Sequence, residues 1–148
     1  MLLLAGSTAE PIYVHASLLS KASEFFKIAL KQEWMDKTNR AITLPDDEHE
    51  IVAAYVKFLY LGKIPSTKGC RTWLAQQKLY QYLATLYVFG EKIVDSAFQN
   101  IVMDALVATV NEAVKDKRCY PTGIVVNVIY DGTPKGSPAR HRSVDACP

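Results

Sequence analysis

The clearest pattern in the chain is an apolar stripe with helical spacing that begins close to residue 15. Apolar side chains recur at intervals of three and four from Leu18 to Leu30, which is typical of a helix that packs one face against a core. Four residues at intervals of four, four and three share one side of that helix and are expected to face inward: His15, Leu19, Ser23 and Phe26. The pattern therefore predicts one core-facing helix over this stretch.

Three short apolar runs predict the strands of a small sheet. The runs are Leu2–Ala5, Ile12–His15 and Ala41–Leu44, and a turn-rich connection separates the first two. Pro45 follows the third run, and its ring nitrogen cannot donate to a strand ladder. We therefore expect the third strand to end at Leu44.

Three further apolar stripes predict helices downstream of the strands. Asp47 and Glu50 approximate a capping box, so one helix is expected to begin there. Gly62 is placed to end that helix in the left-handed conformation. The other two stripes run over residues 79–90 and 98–110.

The chain changes character after Lys115. Residues 124–130 are apolar, and their spacing favours a helix, whereas their β-branched composition and the Asp131-Gly132 pair that follows favour a strand. We expect a helix there, and an irregular tail from Thr133 onward because Pro, Gly, Ser and Arg become frequent. The predicted division is a domain over residues 1–115 and a C-terminal extension over 116–148.

Composition narrows the function classes. The chain has 148 residues, enough for one domain with a sizeable core, and its net charge of +2 is too small to hold a nucleic-acid backbone by itself. Its three cysteines have no metal-knuckle or redox spacing, which favours a reducing compartment. The sequence shows no signal-peptide pattern, and no segment of it approaches the roughly 18 apolar residues of a membrane span. We expect a soluble protein of the cytoplasm, the nucleus or both.

An ordered series of short motifs resembles the BTB/POZ domain, a protein-interaction module. After the His15 to Phe26 spacing come Ile42-Thr43-Leu44-Pro45, then Asp46-Asp47, then Phe58 to Ile64, then Leu86-Tyr87. The resemblance covers roughly residues 2 to 110 and implies an α+β fold, with a helical cluster flanked on one side by a small three-stranded sheet. It also implies that His15 is a buried imidazole that bonds nearby backbone and positions the first helix.

The same resemblance implies the partners. BTB/POZ domains bind a second copy of themselves or a partner such as a cullin ubiquitin-ligase scaffold. Cullin-binding members carry a hydrophobic-any-glutamate motif, which Trp34, Met35 and Asp36 resemble with an aspartate in place of the glutamate. Trp34 would then insert into a partner pocket; the alternative is that it covers its own sheet edge while Asp36 is solvated. The candidate contact residues are Lys27, Lys31, Trp34, Met35 and Asp36, with Tyr55 added if its face is not fully covered.

Two departures from the family pattern limit the form of self-association. Many members exchange a strand that lies upstream of the first core strand, and this sequence begins at that first strand, so we expect a helix-face homodimer in preference to a strand-swapped one. Truncation of the N-terminus would account for this start, and truncation of the C-terminus would account for a tail that stops at Pro148. Ala22 stands where transcription-factor members carry a pocket arginine. The tail from Tyr120-Pro121 to Arg140 resembles the extension of filamentous-fungal BTB proteins.

An enzyme and a nucleic-acid-binding regulator are the two alternatives to a docking protein. The three histidines are scattered, and no nucleophile with a base, paired carboxylates or metal-ligand spacing is present, so we expect no catalytic residue, metal or cofactor. The alternative function is a nuclear regulator that acts through a BTB dimer with weak nucleic-acid contact from a basic tail. That tail contains Lys135, Arg140, His141 and Arg142.

Overall fold

A three-stranded mixed sheet forms one side of the N-terminal part. The structure, a computed structural model, describes residues 2–7, 10–33, 41–64, 72–114 and 117–140. Strand β1 is Leu2–Ala5, β2 is Glu10–Tyr13 and β3 is Ala41–Leu44, in the order β2-β1-β3. β1 pairs antiparallel with β2 and parallel with β3. The parallel register sets Leu3 beside Ile42 and Ala5 beside Leu44, and all four are buried, so one face of the sheet carries the core.

The predicted single helix after β2 is two helices that meet at Ser23. Helix α1 is Ala16–Ala22 and α2 is Glu24–Glu33, with Ser23 between them in extended conformation. The Ser23 hydroxyl accepts a hydrogen bond from the Phe26 N–H at 3.2 Å and donates one to the Ile93 carbonyl at 2.5 Å. A serine side chain that bonds backbone two or three residues ahead competes with the helix and favours a cap. The expectation of one continuous helix was therefore wrong at this position.

Helix α3, His49–Leu61, ends as predicted but does not begin as predicted. Gly62 adopts the left-handed conformation with φ 70°, and its N–H donates to the Phe58 carbonyl at 2.7 Å. At the other end Glu48 is the cap residue and its side chain makes no capping hydrogen bond, so the capping-box prediction was wrong. Asp47 instead forms an ion pair with Lys92, whose Nζ lies 2.5 Å from the Asp47 Oδ2.

The chain folds as two compact units, each with its own core. Unit 1 comprises Met1–Pro65 and Lys92–Ala97, and unit 2 comprises Ser66–Glu91 and Phe98–Pro148. In unit 1 the buried set is led by Leu3, Leu19, Phe26, Val52 and Tyr55. The domain boundary predicted at residue 115 came from a change in composition, and it stays a prediction.

Unit 2 is built on long helices. Helix α4 is Trp73–Ile93, α5 is Ser96–Asn111 and α6 is Gly123–Gly132, with the short antiparallel strands β4, Ala113–Val114, and β5, Lys117–Arg118, between the last two helices. The preference for a helix over a strand at residues 124–130 is confirmed. No helix of the described part of the chain combines the length and the apolar character that crossing a bilayer requires.

Buried glutamines tie the segment after α5 to α4, which sequence periodicity did not reveal. Gln76 Nε2 donates to the Thr109 and Glu112 carbonyls at 2.8 and 3.2 Å, where α5 ends. Gln77 Nε2 donates to the Tyr120 carbonyl at 2.9 Å. Because buried backbone carbonyls need donors, these amides fix the path of the chain into α6.

The expectation of an irregular tail from Thr133 holds for residues 133–137, which form a bend and a turn, and was wrong for residues 138–140. Thr133, Ser137 and Ala139 are buried, and residues 138–140 are helical. The Arg140 guanidinium donates to the Tyr130 carbonyl at 2.6 Å and to the Thr133 carbonyl, and it lies 4.9 Å from the centre of the Tyr130 ring. One long side chain thus orders a segment whose composition alone favours irregular structure.

Candidate functional site

His15 is exposed, contrary to the expectation of a buried imidazole. It caps α1, its backbone N–H donates to Tyr60 Oη at 3.1 Å, and its Nδ1 lies 2.5 Å from the same oxygen. The Tyr60 hydroxyl thus contacts both the backbone and the ring of His15. His15 therefore joins the start of α1 to the end of α3 through a tyrosine side chain rather than through nearby backbone.

The other three signature residues face inward as predicted. Leu19 and Phe26 are fully buried, and Ser23 is buried while it caps α2. The Phe26 ring stacks on Tyr55 with centroids 6.2 Å apart. Since α1 and α2 anchor these side chains in the core, their opposite sides are held rigidly at the surface.

An open groove of about 600 Å³ runs along the outer side of α1 and α2. Its lining residues are Ala16, Ser17, Ser20, Lys21, Lys27, Leu30 and Lys31. Lys27 pairs with Glu24 at 3.1 Å, but both side chains are substantially exposed, so this ion pair contributes little to stability. Ile28, on α2, is 55% exposed. We call the exposed surface of α1 and α2, which includes the groove and Ile28, the α1–α2 face.

The charge of the α1–α2 face restricts what it can bind. Three lysines line the groove, and none of its described lining residues is acidic. Positive potential favours an acidic partner surface and raises the association rate with it. An isologous contact would set the groove of one copy against the same groove of another, which brings like charges together. The face therefore suits an acidic partner better than its own image.

The remaining predicted contact residues have different outcomes. Lys27 and Lys31 are exposed and lie together in the groove. Trp34, Met35 and Asp36 lie outside the described residues. Tyr55 was a contact candidate only if its face was uncovered; it is fully buried, and its hydroxyl donates to Asp95, so it is not a contact residue.

An exposed aromatic patch was not predicted from the sequence. Tyr13 is 71% exposed and Tyr60 is 49% exposed, and with Val14, His15 and Ala16 they line a shallow depression of about 310 Å³. Tyr60 lies near the end of α3. The available signal was its position two residues before Gly62, where a helix end approaches the surface.

Within the ranges described, no three side chains of the histidine, cysteine, aspartate and glutamate types lie close enough to hold a metal ion. Cys119 carries a half-buried free thiol.

Comparison with known proteins identifies the family. The family model described as BTB/POZ domain matches residues 1–101, well over half of the chain. Comparison with curated proteins found no significant match. The small mixed sheet with its helices agrees with the α+β fold that the resemblance implied. BTB/POZ domains mediate protein–protein interactions and dimerisation, and the family is one of interaction modules rather than enzymes. This chain belongs to the BTB/POZ domain family.

Proposed function

We propose that the chain is a non-enzymatic docking module of the cytoplasm, the nucleus or both, and that its contact surface is the α1–α2 face. The observation that carries the proposal is the lysine-lined groove on two helices whose inner sides are buried. A cullin ubiquitin-ligase scaffold that offers an acidic surface is the first candidate partner. Trp34, Met35 and Asp36, which follow α2 in the sequence, would extend the same contact.

A second copy of the chain is the second candidate partner. Exposed Ile28 on α2 supplies apolar area that a helix-face dimer could bury. Such a dimer must offset its two-fold axis from the groove, because Lys21, Lys27 and Lys31 would otherwise meet their own images. A dimer formed through the α1–α2 face therefore needs its two-fold axis at a point away from these three lysines.

Titration calorimetry with a purified cullin amino-terminal domain tests the first candidate. We expect binding that weakens as salt rises, because lysine contacts to an acidic surface are screened. The double variant K27Q/K31Q should bind about tenfold more weakly, and Trp34→Ala should lose affinity further if the motif takes part. Lys57→Gln is the matched control, since Lys57 is exposed on α3 and does not line the groove.

The outcomes separate the two partners. Absence of cullin binding at micromolar concentration, or an equal loss in Lys57→Gln, would contradict cullin docking at this face. Light-scattering mass across a dilution series reports self-association independently. A doubled mass that Ile28→Asp abolishes supports the helix-face dimer, and a monomer mass at every concentration excludes it.

The alternative of nucleic-acid contact from a basic tail has less support. The Arg140 guanidinium is already bonded to two backbone carbonyls, so it is not presented to a phosphate. Lys135 is exposed, and His141 and Arg142 lie outside the described residues. A gel shift that persists at physiological salt would favour this alternative over docking.

A further inference from the structure

Unit 2 contains an open pocket of about 360 Å³ between α5, α6 and β5. Apolar side chains form its walls: Met103, Val107 and Val110 from α5, and Val125, Val126 and Ile129 from α6. Several of them, including Met103, Val107 and Val126, are only half-buried because the pocket leaves one side of each uncovered. The volume lies within the roughly 300–1,000 Å³ that is typical of small-molecule sites.

The polar groups of this pocket are gathered at one end. Asn111 is the last residue of α5. Arg118 on β5 pairs with Ala113, which lies two residues after Asn111 in the sequence. Both side chains are exposed and both line the pocket. No side-chain hydrogen bond or ion pair joins the Arg118 guanidinium to another residue that the structure describes. Its guanidinium is therefore available to a ligand.

Two other polar groups of the lining residues are already engaged. Tyr80 Oη donates to the Cys119 carbonyl at 2.8 Å, and the Tyr120 carbonyl accepts from Gln77 at 2.9 Å. None of the described lining residues is acidic. The pocket thus offers the Arg118 cation and the Asn111 amide beside its apolar walls, together with the Tyr120 phenol. This arrangement is complementary to a molecule with an apolar body and an anionic head.

The wall on the α6 side is held in place from within. Ala139 lines the pocket and is buried, and the next residue, Arg140, bonds the Tyr130 and Thr133 carbonyls. These bonds fix the segment after α6 against the end of the helix. The pocket is therefore preformed, which lowers the entropic cost of binding a ligand.

We propose that this pocket binds a small amphipathic carboxylate, an aliphatic or aromatic acid whose carboxylate lies at Arg118 and Asn111 and whose body lies between α5 and α6. The geometry of the carboxylate allows two parallel hydrogen bonds from the guanidinium. The site is separate from the α1–α2 face and does not depend on the docking function proposed there.

Decanoate is the test ligand and decanol its uncharged counterpart, each titrated below its aggregation limit into the full chain. We expect saturable one-to-one binding of decanoate by calorimetry, with methyl NMR shifts at Val107, Val126 and Ile129 of the pocket wall. Decanol should bind at least about tenfold more weakly, because it cannot pair with a guanidinium.

Two neighbouring variants on β5 make the matched comparison. Arg118→Gln should weaken decanoate about tenfold and leave decanol unchanged. Lys117→Gln removes the same charge from an exposed side chain outside the pocket lining and should leave decanoate affinity unchanged. The proposal is overturned if decanoate does not saturate, if both variants lose affinity equally, if decanol binds as tightly, or if the shifts fall outside the pocket.

Discussion

The Tyr55 hydroxyl donates a 2.8 Å hydrogen bond to Asp95 Oδ2, and both side chains are buried in unit 1. Forty residues separate them in sequence. Burial raises the pKa of Tyr55, and the bond to the Asp95 carboxylate raises it further. Together with the bond from Ser23 to the Ile93 carbonyl and the pair between Lys92 and Asp47, this contact holds residues 92–97 to the unit that carries α1, α2 and α3.

Tyr55→Phe should lower the free energy of unfolding by about 1.5–3 kcal/mol near neutral pH, because a buried carboxylate loses a donor. That difference should shrink as pH rises above about 10, the ordinary tyrosine pKa. In the wild type the unfolded state ionises Tyr55 there, whereas the folded state, with its raised pKa, keeps the proton until higher pH. The wild type alone therefore loses this contribution as pH rises.

Urea unfolding of wild type and Tyr55→Phe at several pH values from 7 to about 11 measures both effects. Tyr13→Phe is the control, because Tyr13 is 71% exposed and its replacement should change the neutral-pH free energy by less than about 0.5 kcal/mol. A difference between wild type and Tyr55→Phe that stays constant or grows at alkaline pH would contradict the assignment.

Ser23→Ala should destabilise the domain by about 1–3 kcal/mol. The change removes the cap of α2 and leaves the Ile93 carbonyl without this buried donor. Thermal or urea unfolding measures the loss. Ser17→Ala, on the exposed side of α1, is the matched control and should lie within about 0.5 kcal/mol of wild type. Equal stabilities for the two variants would show that Ser23 is not a structural cap.

Gly132→Ala should destabilise unit 2 because the new methyl has no room. A Cβ at Gly132 would clash with both γ-methyl carbons of Val88 on α4, the more distant of which would lie 2.6 Å away. A valine cannot turn both methyls away, so we expect a loss of about 1–3 kcal/mol in the free energy of unfolding.

Two companion variants sharpen this prediction. Gly132→Ala combined with Val88→Ala should recover part of the loss in a double-mutant cycle, since the clash partner is removed. Gly123→Ala, at the other end of α6, meets no atom within 4 Å and should be neutral or slightly stabilising, because alanine is the better helix former. If Gly132→Ala unfolds like Gly123→Ala, the close approach of α6 to α4 is wrong.

Patterns of neighbouring residues predicted the strands β1 and β3, the end of α3 at Gly62 and the helical state of α6. Alternation, helical spacing and glycine's tolerance of positive φ act within a few residues of one another. The ordered motifs also indicated the family before any geometry was known, because a shared fold requires the same small set of core positions in the same order.

The break at Ser23, the exposure of His15 and the order of residues 133–140 were not predictable in the same way. Each depends on a partner elsewhere: the Ile93 carbonyl for Ser23, the Tyr60 hydroxyl for His15, and the Tyr130 and Thr133 carbonyls for Arg140. A serine in a helical stripe or an arginine in a Pro- and Gly-rich run has the same local signature whether or not such a partner exists.

The candidate sites divide along the same line. Lys27 and Lys31 were candidate contact residues from the sequence, whereas their meeting with Lys21 in one groove required the break at Ser23. Sequence by itself determined the strands β1 and β3, the end of α3 and the helical state of α6, because those follow from periodicity and local backbone preference. Its ordered motifs carried the resemblance to the family. Only the tertiary structure decided which polar groups are engaged and which are left for a partner, because hydrogen-bond partners distant in sequence are chosen by packing.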